Sequence, residues 1–123
     1  MVRGVGIDSA SISATARMID ALGDDYVNHV FGPAELAARE SPDAEYLTGR
    51  FAVKEAAFKA LAHLTPERTF DMRVIETVDA EDGHPEIVPT EGLLEVMGRA
   101  GVTSLFVSIT TEGDVATAIV VAE

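Results

Sequence analysis

The feature that most limits the fold of this chain is one long helix in its middle. Ser41-Pro42-Asp43 is a strong start signal: a cap, a proline suited to the first helical position and an acid in the first turn. The helix it opens is predicted to run to about His63, and Thr65-Pro66 stops it. At about 100° per residue, Leu47, Phe51, Phe58 and Leu61 fall on one apolar stripe. The chain has 123 residues, the size of one ordinary domain, so residues 1–123 form a single unit and two independent cores will not fit.

The flanking segments are short. Residues 2–8 read as a strand with Val2, Gly4, Gly6 and Asp8 on one face and Arg3, Val5 and Ile7 on the other. The two glycines leave Asp8's face bare, so something can approach the backbone closely, and Asp8 is placed at the strand end. Ser9 or Ser11 offers a cap for a helix over 11–22 that buries Ile12, Ala16, Ile19 and Leu22 and closes at Gly23. Residues 24–40 read as two helical pieces split at Gly32-Pro33.

Beyond the long helix, residues 70–78 look like a strand, 79–83 an acidic turn and 86–88 a short returning strand. Thr90 caps a helix over 91–100 with Leu93, Leu94, Met97 and Ala100 inward and Gly101 as terminator. Residues 103–110 alternate with Leu105, Val107 and Ile109 inward, while 115–122 are apolar on both faces, and Glu112-Gly113-Asp114 joins the two. The fold class is α+β, a small, mainly antiparallel sheet packed with helices.

Composition removes several functions. Nine basic residues against 21 acidic ones give a net charge of −12, which argues against nucleic acid and anionic membrane surfaces as partners. No cysteine is present, so disulfides, thiolate zinc sites and a cysteine nucleophile are excluded. His29, His63 and His84 lack metal-ligand spacing. No apolar run approaches a membrane span of about 18 residues, and the start lacks a signal-peptide core, so the cytoplasm is the expected location. No GxGxxG, P-loop or GxSxG is found.

Three residues of the long helix sit awkwardly in a pure packing account. Lys54 falls inside the apolar stripe, Glu55 flanks it, and Lys59 stands one turn after Glu55. The plain explanation is an i,i+4 pair of Glu55 with Lys59 and a snorkelling Lys54. The other is a site: Asp8 and Glu55, from separate elements, make a hard-oxygen pair of the kind Mg²⁺ uses beside substrate phosphate. Lys54 and Lys59 would suit a phosphate-bearing, nucleotide-like ligand. Spacing alone leaves both open.

The same residues carry a resemblance. Gly6-Ile7-Asp8, then Arg50-Phe51-Ala52-Val53-Lys54-Glu55-Ala56 and Lys59-Ala60-Leu61, resemble holo-acyl-carrier-protein synthases, the small 4′-phosphopantetheinyl transferases. Phe31-Gly32-Pro33-Ala34-Glu35, Gly83-His84-Pro85 and the closing hairpin from Ser104 to Val121 match in the same order. The resemblance implies transfer of the phosphopantetheine arm of coenzyme A to a serine of an acyl carrier protein, with release of 3′,5′-ADP. It implies Asp8 and Glu55 as Mg²⁺ ligands and Asp8, Glu55 and Lys59 as catalytic residues. It implies Arg50, Lys54, Lys59, Gly83, Pro85 and Thr111 as coenzyme contacts, and Arg68 within reach of a phosphate.

The chain is a divergent member by this reading. Thr111 stands where the family carries histidine, and the first helix, basic in the family, offers Arg17 against Asp20, with Asp24 and Asp25 just after it. A degenerate relative that binds coenzyme A or a partner without turnover is the alternative. Residues 115–122 are apolar on both faces in a chain too short to cover both, which calls for self-association. The resemblance implies a homotrimer with the active sites between subunits.

Overall fold

The computed structural model describes residues 1–123. Strand β1 (Gly4–Ser11) leads into helix α1 (Ile12–Leu22), followed by α2 (Asp24–Val30), α3 (Pro33–Ala37) and the long α4 (Ala44–Leu61). Short strands β2 (Thr77–Asp79) and β3 (Pro85–Ile87) form a two-stranded ribbon, then come α5 (Glu91–Ala100), β4 (Leu105–Glu112) and β5 (Val115–Ala122). The main sheet has the order β1-β5-β4, antiparallel throughout. This is the α+β arrangement expected from the sequence. No helix is long and apolar enough to cross a membrane.

Helix α4 lies across the sheet and is buried on almost every side. Of the stripe of large residues expected for it, Leu47 and Leu61 are buried, but the stripe is not the whole contact. Phe51 and Phe58 are only half-buried, whereas Arg50 and Lys54 are buried. The reason is a second, small-residue face: Ala52, Ala56 and Ala60 are fully buried. They meet β1 at Gly4 and Gly6, where an added methyl group would collide with the carbonyls of Ala60 and Ala56. The glycines thus admit helix backbone, and this close contact fixes where α4 sits over Asp8. Val53, Ala57 and Leu61 join Ile75, Leu93, Val96 and Val120 in the core on the remaining sides.

Several boundaries differ from the sequence expectation. Asp43, not Ser41, caps α4, because its carboxylate accepts the Tyr46 N–H at 2.9 Å and leaves Pro42 outside the helix. The strand expected over 70–78 is confined to Thr77–Asp79. Ahead of it Asp71 caps a 3-10 turn at Met72–Val74, and the Val74 carbonyl is taken by the Thr90 hydroxyl. Leu22 and Leu94 are exposed rather than inward, and Thr15 and Val96 are buried in those two helices instead. Strand β1 continues three residues past Asp8, so Asp8 is mid-strand, opposite Ala118 of β5.

The other face of the sheet is bare. Val5 and Ile7 of β1, Phe106 of β4 and Ile119 of β5 are 38–58% exposed there, in register across the three strands. Residues 115–122 are therefore covered on one face only: Ala116, Ala118, Val120 and Ala122 are buried, and Val115 and Ile119 are exposed.

Candidate functional site

The predicted site residues fall into two groups on opposite flanks of α4. On the β1 flank, Asp8 and Glu55 line one cavity of about 430 Å³, with Ala10, Ala14, Met18, Tyr26 and Phe51 as its apolar and aromatic walls. The alternation of β1 that turns Gly4 and Gly6 toward α4 turns Asp8 the same way. One turn along α4 from Glu55, Lys59 reaches back to β1, with its Nζ 3.0 Å from the Ile7 carbonyl oxygen and 3.3 Å from Asp8 Oδ1. The Glu55–Lys59 pair permitted by spacing does not form. Lys59 chooses Asp8 because the glycine contact brings β1 within its reach, and Glu55 is left without an ion-pair partner. Burial pushes the Tyr26 phenol up from its ordinary value.

The donor set at this cavity is two carboxylates, and no cluster of three or more acidic, histidine or cysteine ligands forms anywhere in the chain. Such a pair cannot cage an ion alone. It fits Mg²⁺, which keeps most of its coordination for water and substrate phosphate.

On the opposite flank, Arg50, Gly83, Pro85 and Thr111 line a second cavity of about 290 Å³ together with Arg39, Tyr46 and Asp79. Arg50 donates from Nη2 to Asp79 Oδ1 at 2.8 Å, and Arg39 from Nη2 to Asp79 Oδ2 at 3.3 Å. Both guanidinium groups stand over the Tyr46 ring, 4.4 and 4.6 Å from its centre. Thr111 is exposed on β4, and across β5 its register partner's partner is Ala10 of β1. With β5 between them, β1 and β4 are about 10 Å apart, and α4 stands between the cavities, which share no lining residue.

Lys54 belongs to neither group. Its side chain is 2% exposed, and its Nζ lies 2.6 Å from Glu35 Oε1 and donates to the Ile75 carbonyl. The Glu35 carboxylate also accepts the N–H groups of Gly32 and Thr77 at 3.1 Å each. Burial pushes the Glu35 carboxyl up and Lys54 pulls it back. The amine thus faces Glu35 and the Ile75 carbonyl instead of snorkelling, and the residue lines a third cavity, of about 360 Å³, that shares no lining residue with the one at Arg50 and Thr111. Lys54 ties α3 and the start of β2 to α4, because an apolar stripe interrupted by a charge must bury that charge with a partner.

Arg68 is exposed on the loop after α4. His84 is a turn residue, flanked by Asp82 and Glu86, and Asp82 holds its imidazole above the ordinary value. Arg39, Tyr46 and Asp79 were missed from sequence. Asp79 reads there as part of an acidic turn, and nothing in spacing brings it to an arginine 29 residues earlier.

Comparison with known proteins agrees with this architecture over its full length. A sequence model of the 4′-phosphopantetheinyl transferase superfamily matches residues 4–120. A holo-[acyl-carrier-protein] synthase of Myxococcus xanthus is 37% identical over 123 residues, covering 98% of this chain and 94% of that one. The crystal structure of the holo-[acyl-carrier-protein] synthase of Neisseria meningitidis superposes with a TM-score of 0.86 at 28% identity, over 100% of this chain and 99% of that one. A solved complex of such a synthase with coenzyme A, from Chronobacterium ammoniagenes, superposes with a TM-score of 0.75 at 25% identity, over 97% and 95% of the two chains.

Proposed function

This chain belongs to the 4′-phosphopantetheinyl transferase superfamily, and we propose from that premise how its two flanks divide the work. The enzyme transfers the 4′-phosphopantetheine arm of coenzyme A to a serine of an acyl carrier protein. The serine oxygen forms a bond to the β-phosphorus, the bond from that phosphorus to 3′,5′-ADP breaks, and the hydroxyl proton leaves.

The observation that carries the site assignment is the cavity shared by Asp8 and Glu55 with Lys59 fastened beside it. Mg²⁺, when held by Asp8 and Glu55, neutralises the diphosphate charge. Lys59, already oriented by the Ile7 carbonyl, turns its remaining donors to a phosphate oxygen. Glu55 has no ion-pair partner, so the carboxylate oxygen it does not give to the ion can take the serine proton. The walls formed by Ala14, Met18 and Phe51 limit water around the reacting atoms. Positioning and charge neutralisation are most of what phosphoryl transfer asks of a protein.

The second flank, with Arg50, Gly83, Pro85 and Thr111, takes the nucleotide end of the coenzyme. Placed across the sheet from Asp8, it serves the catalytic cavity of a neighbouring copy. The bare sheet face of Val5, Ile7, Phe106 and Ile119 supplies the surface for that assembly, and a cytoplasmic homotrimer is the form we assign. Sedimentation should give three times the mass of one chain, and a clean monomer at micromolar concentration overturns the assembly.

Mass spectrometry of an apo carrier protein incubated with coenzyme A and Mg²⁺ tests the chemistry. The parent adds one phosphopantetheine arm, and Asp8→Ala and Glu55→Ala add none while remaining folded. If both variants modify the carrier at the parent's rate, the site assignment is wrong.

A further inference from the structure

Resting on the coenzyme reading just given, we propose that Asp79 is an internal competitor for the phosphomonoester of the coenzyme, occupying the two arginines that would bind it. The Arg50 side chain is 5% exposed, yet its Nε has no hydrogen-bond partner. A buried guanidinium placed for structure alone should have its donors satisfied. Here one Nη2 is taken by Asp79 and the Nε is left over.

Asp79 is not the only group that positions the arginines. Tyr46 lies under both guanidinium groups, and its own hydroxyl is anchored on the Glu35 carbonyl at 2.7 Å. Asp79, by contrast, is 34% exposed, sits at the end of a three-residue strand, and its carboxylate bonds only to Arg39 and Arg50. Asp79 is therefore able to swing into solvent, as is the 53%-exposed Arg39, while Arg50 stays buried. Of the other acids lining the cavity, Asp43 is engaged in capping α4, and Glu45 is exposed with no ion pair to either arginine.

A phosphomonoester brings three acceptor oxygens and about two charges, against two oxygens and one charge for the carboxylate. It can accept from Nη2 and Nε of Arg50 together while reaching Arg39. Gly83, Pro85 and Thr111 leave space beside the arginines for the attached nucleoside. Asp79 accordingly weakens coenzyme binding, and Arg39 is a further phosphate contact that sequence reasoning did not find.

Calorimetric titration with 3′,5′-ADP and, separately, 5′-AMP at fixed Mg²⁺ tests this. Both carry a 5′-phosphate, and they differ in the 3′-phosphate, which is the phosphomonoester of coenzyme A. Asp79→Asn should raise affinity for 3′,5′-ADP by about tenfold and leave 5′-AMP unchanged. Arg39→Gln should weaken 3′,5′-ADP alone. Asp79→Ser repeats the first test should the asparagine variant fold poorly. Unchanged or weaker 3′,5′-ADP binding in the Asp79 variants overturns the proposal, because Asp79 then merely orients Arg50. An equal gain for both nucleotides overturns it too, since that reflects only the loss of a negative charge. If the parent modifies no carrier while the 3′,5′-ADP preference rises in Asp79→Asn, the transfer reading fails and the competitor stands. If carriers are modified and the preference stays fixed, the competitor alone fails.

Discussion

Two lysines five residues apart on α4 live in opposite worlds. Lys54 is 2% exposed, sealed against Glu35, and shares its carboxylate with two backbone N–H groups. Lys59 is 52% exposed at the side chain and rests loosely on Asp8 and the Ile7 carbonyl. The first pair joins segments distant in sequence, and its amine is taken up by the Glu35 carboxylate and the Ile75 carbonyl. The second leaves donors free beside two carboxylates and an open groove. Chemical type does not separate the two; burial does. A charge sealed with its partner holds the fold together, and a charge left half in water can exchange its partner for a ligand.

The contrast is broken most directly at the buried pair. Lys54→Ala leaves the Glu35 carboxylate buried and unpaired, and should cost about 3–5 kcal/mol of stability, read by chemical denaturation. A loss below 1 kcal/mol would mean that water reaches Glu35 and that the pair is not sealed.

At the open pair the effects separate. Lys59→Ala should cost about 0.2–1 kcal/mol of stability, as exposed pairs do. Coenzyme affinity should nevertheless fall about tenfold, or about 1.4 kcal/mol. Titration of the folded variant with coenzyme A checks this, and an unchanged affinity returns Lys59 to the role of a surface ion pair.

Thr111 sharpens the comparison between the two cavities. Threonine carries no cationic donor near neutral pH, whereas histidine can. Thr111→His, exposed on β4, should leave the transfer rate unchanged or raise it. A large loss with the fold intact would show that the threonine has its own task.

The smallest effect is expected at Asp114, which accepts from the Ser13 hydroxyl and N–H and from the Ser11 hydroxyl, tying the β4–β5 turn to the start of α1. These bonds, led by Ser13, hold its carboxyl below the ordinary 3.8. A lowered folded value stabilises above about pH 3.8 and loses that stabilisation as pH falls through the folded value. Asp114→Asn should therefore lower the melting temperature slightly at pH 6, with the difference from the parent vanishing in strong acid. A difference that persists there would have to come from the shape of the turn and not from its charge.

Much of this protein is legible in its sequence. Thr90 and Gly101 bracket α5 as their residue types require, and Gly113, at φ 58°, makes the two-residue turn between the last strands. The split at Gly32-Pro33 and the Ser11 cap of α1 were equally local. Such features follow from backbone sterics and hydrogen-bond satisfaction within a few residues, and sequence displays those directly. The candidate residues Asp8, Glu55 and Lys59 were also named from sequence, through a motif rather than through spacing.

The partners of the charges were decided only by the tertiary structure. Lys54 has Glu35 as its neighbour because α3 folds back beside α4, and Lys59 meets Asp8 rather than Glu55 because Gly4 and Gly6 let α4 settle onto β1. Arg50 finds Asp79 across 29 residues by the same means. Coulombic attraction and burial depend on distance in space and on who excludes the water. A linear sequence sets which charges exist, and close packing of α4 on the sheet sets which of them are sealed and which remain open to a substrate.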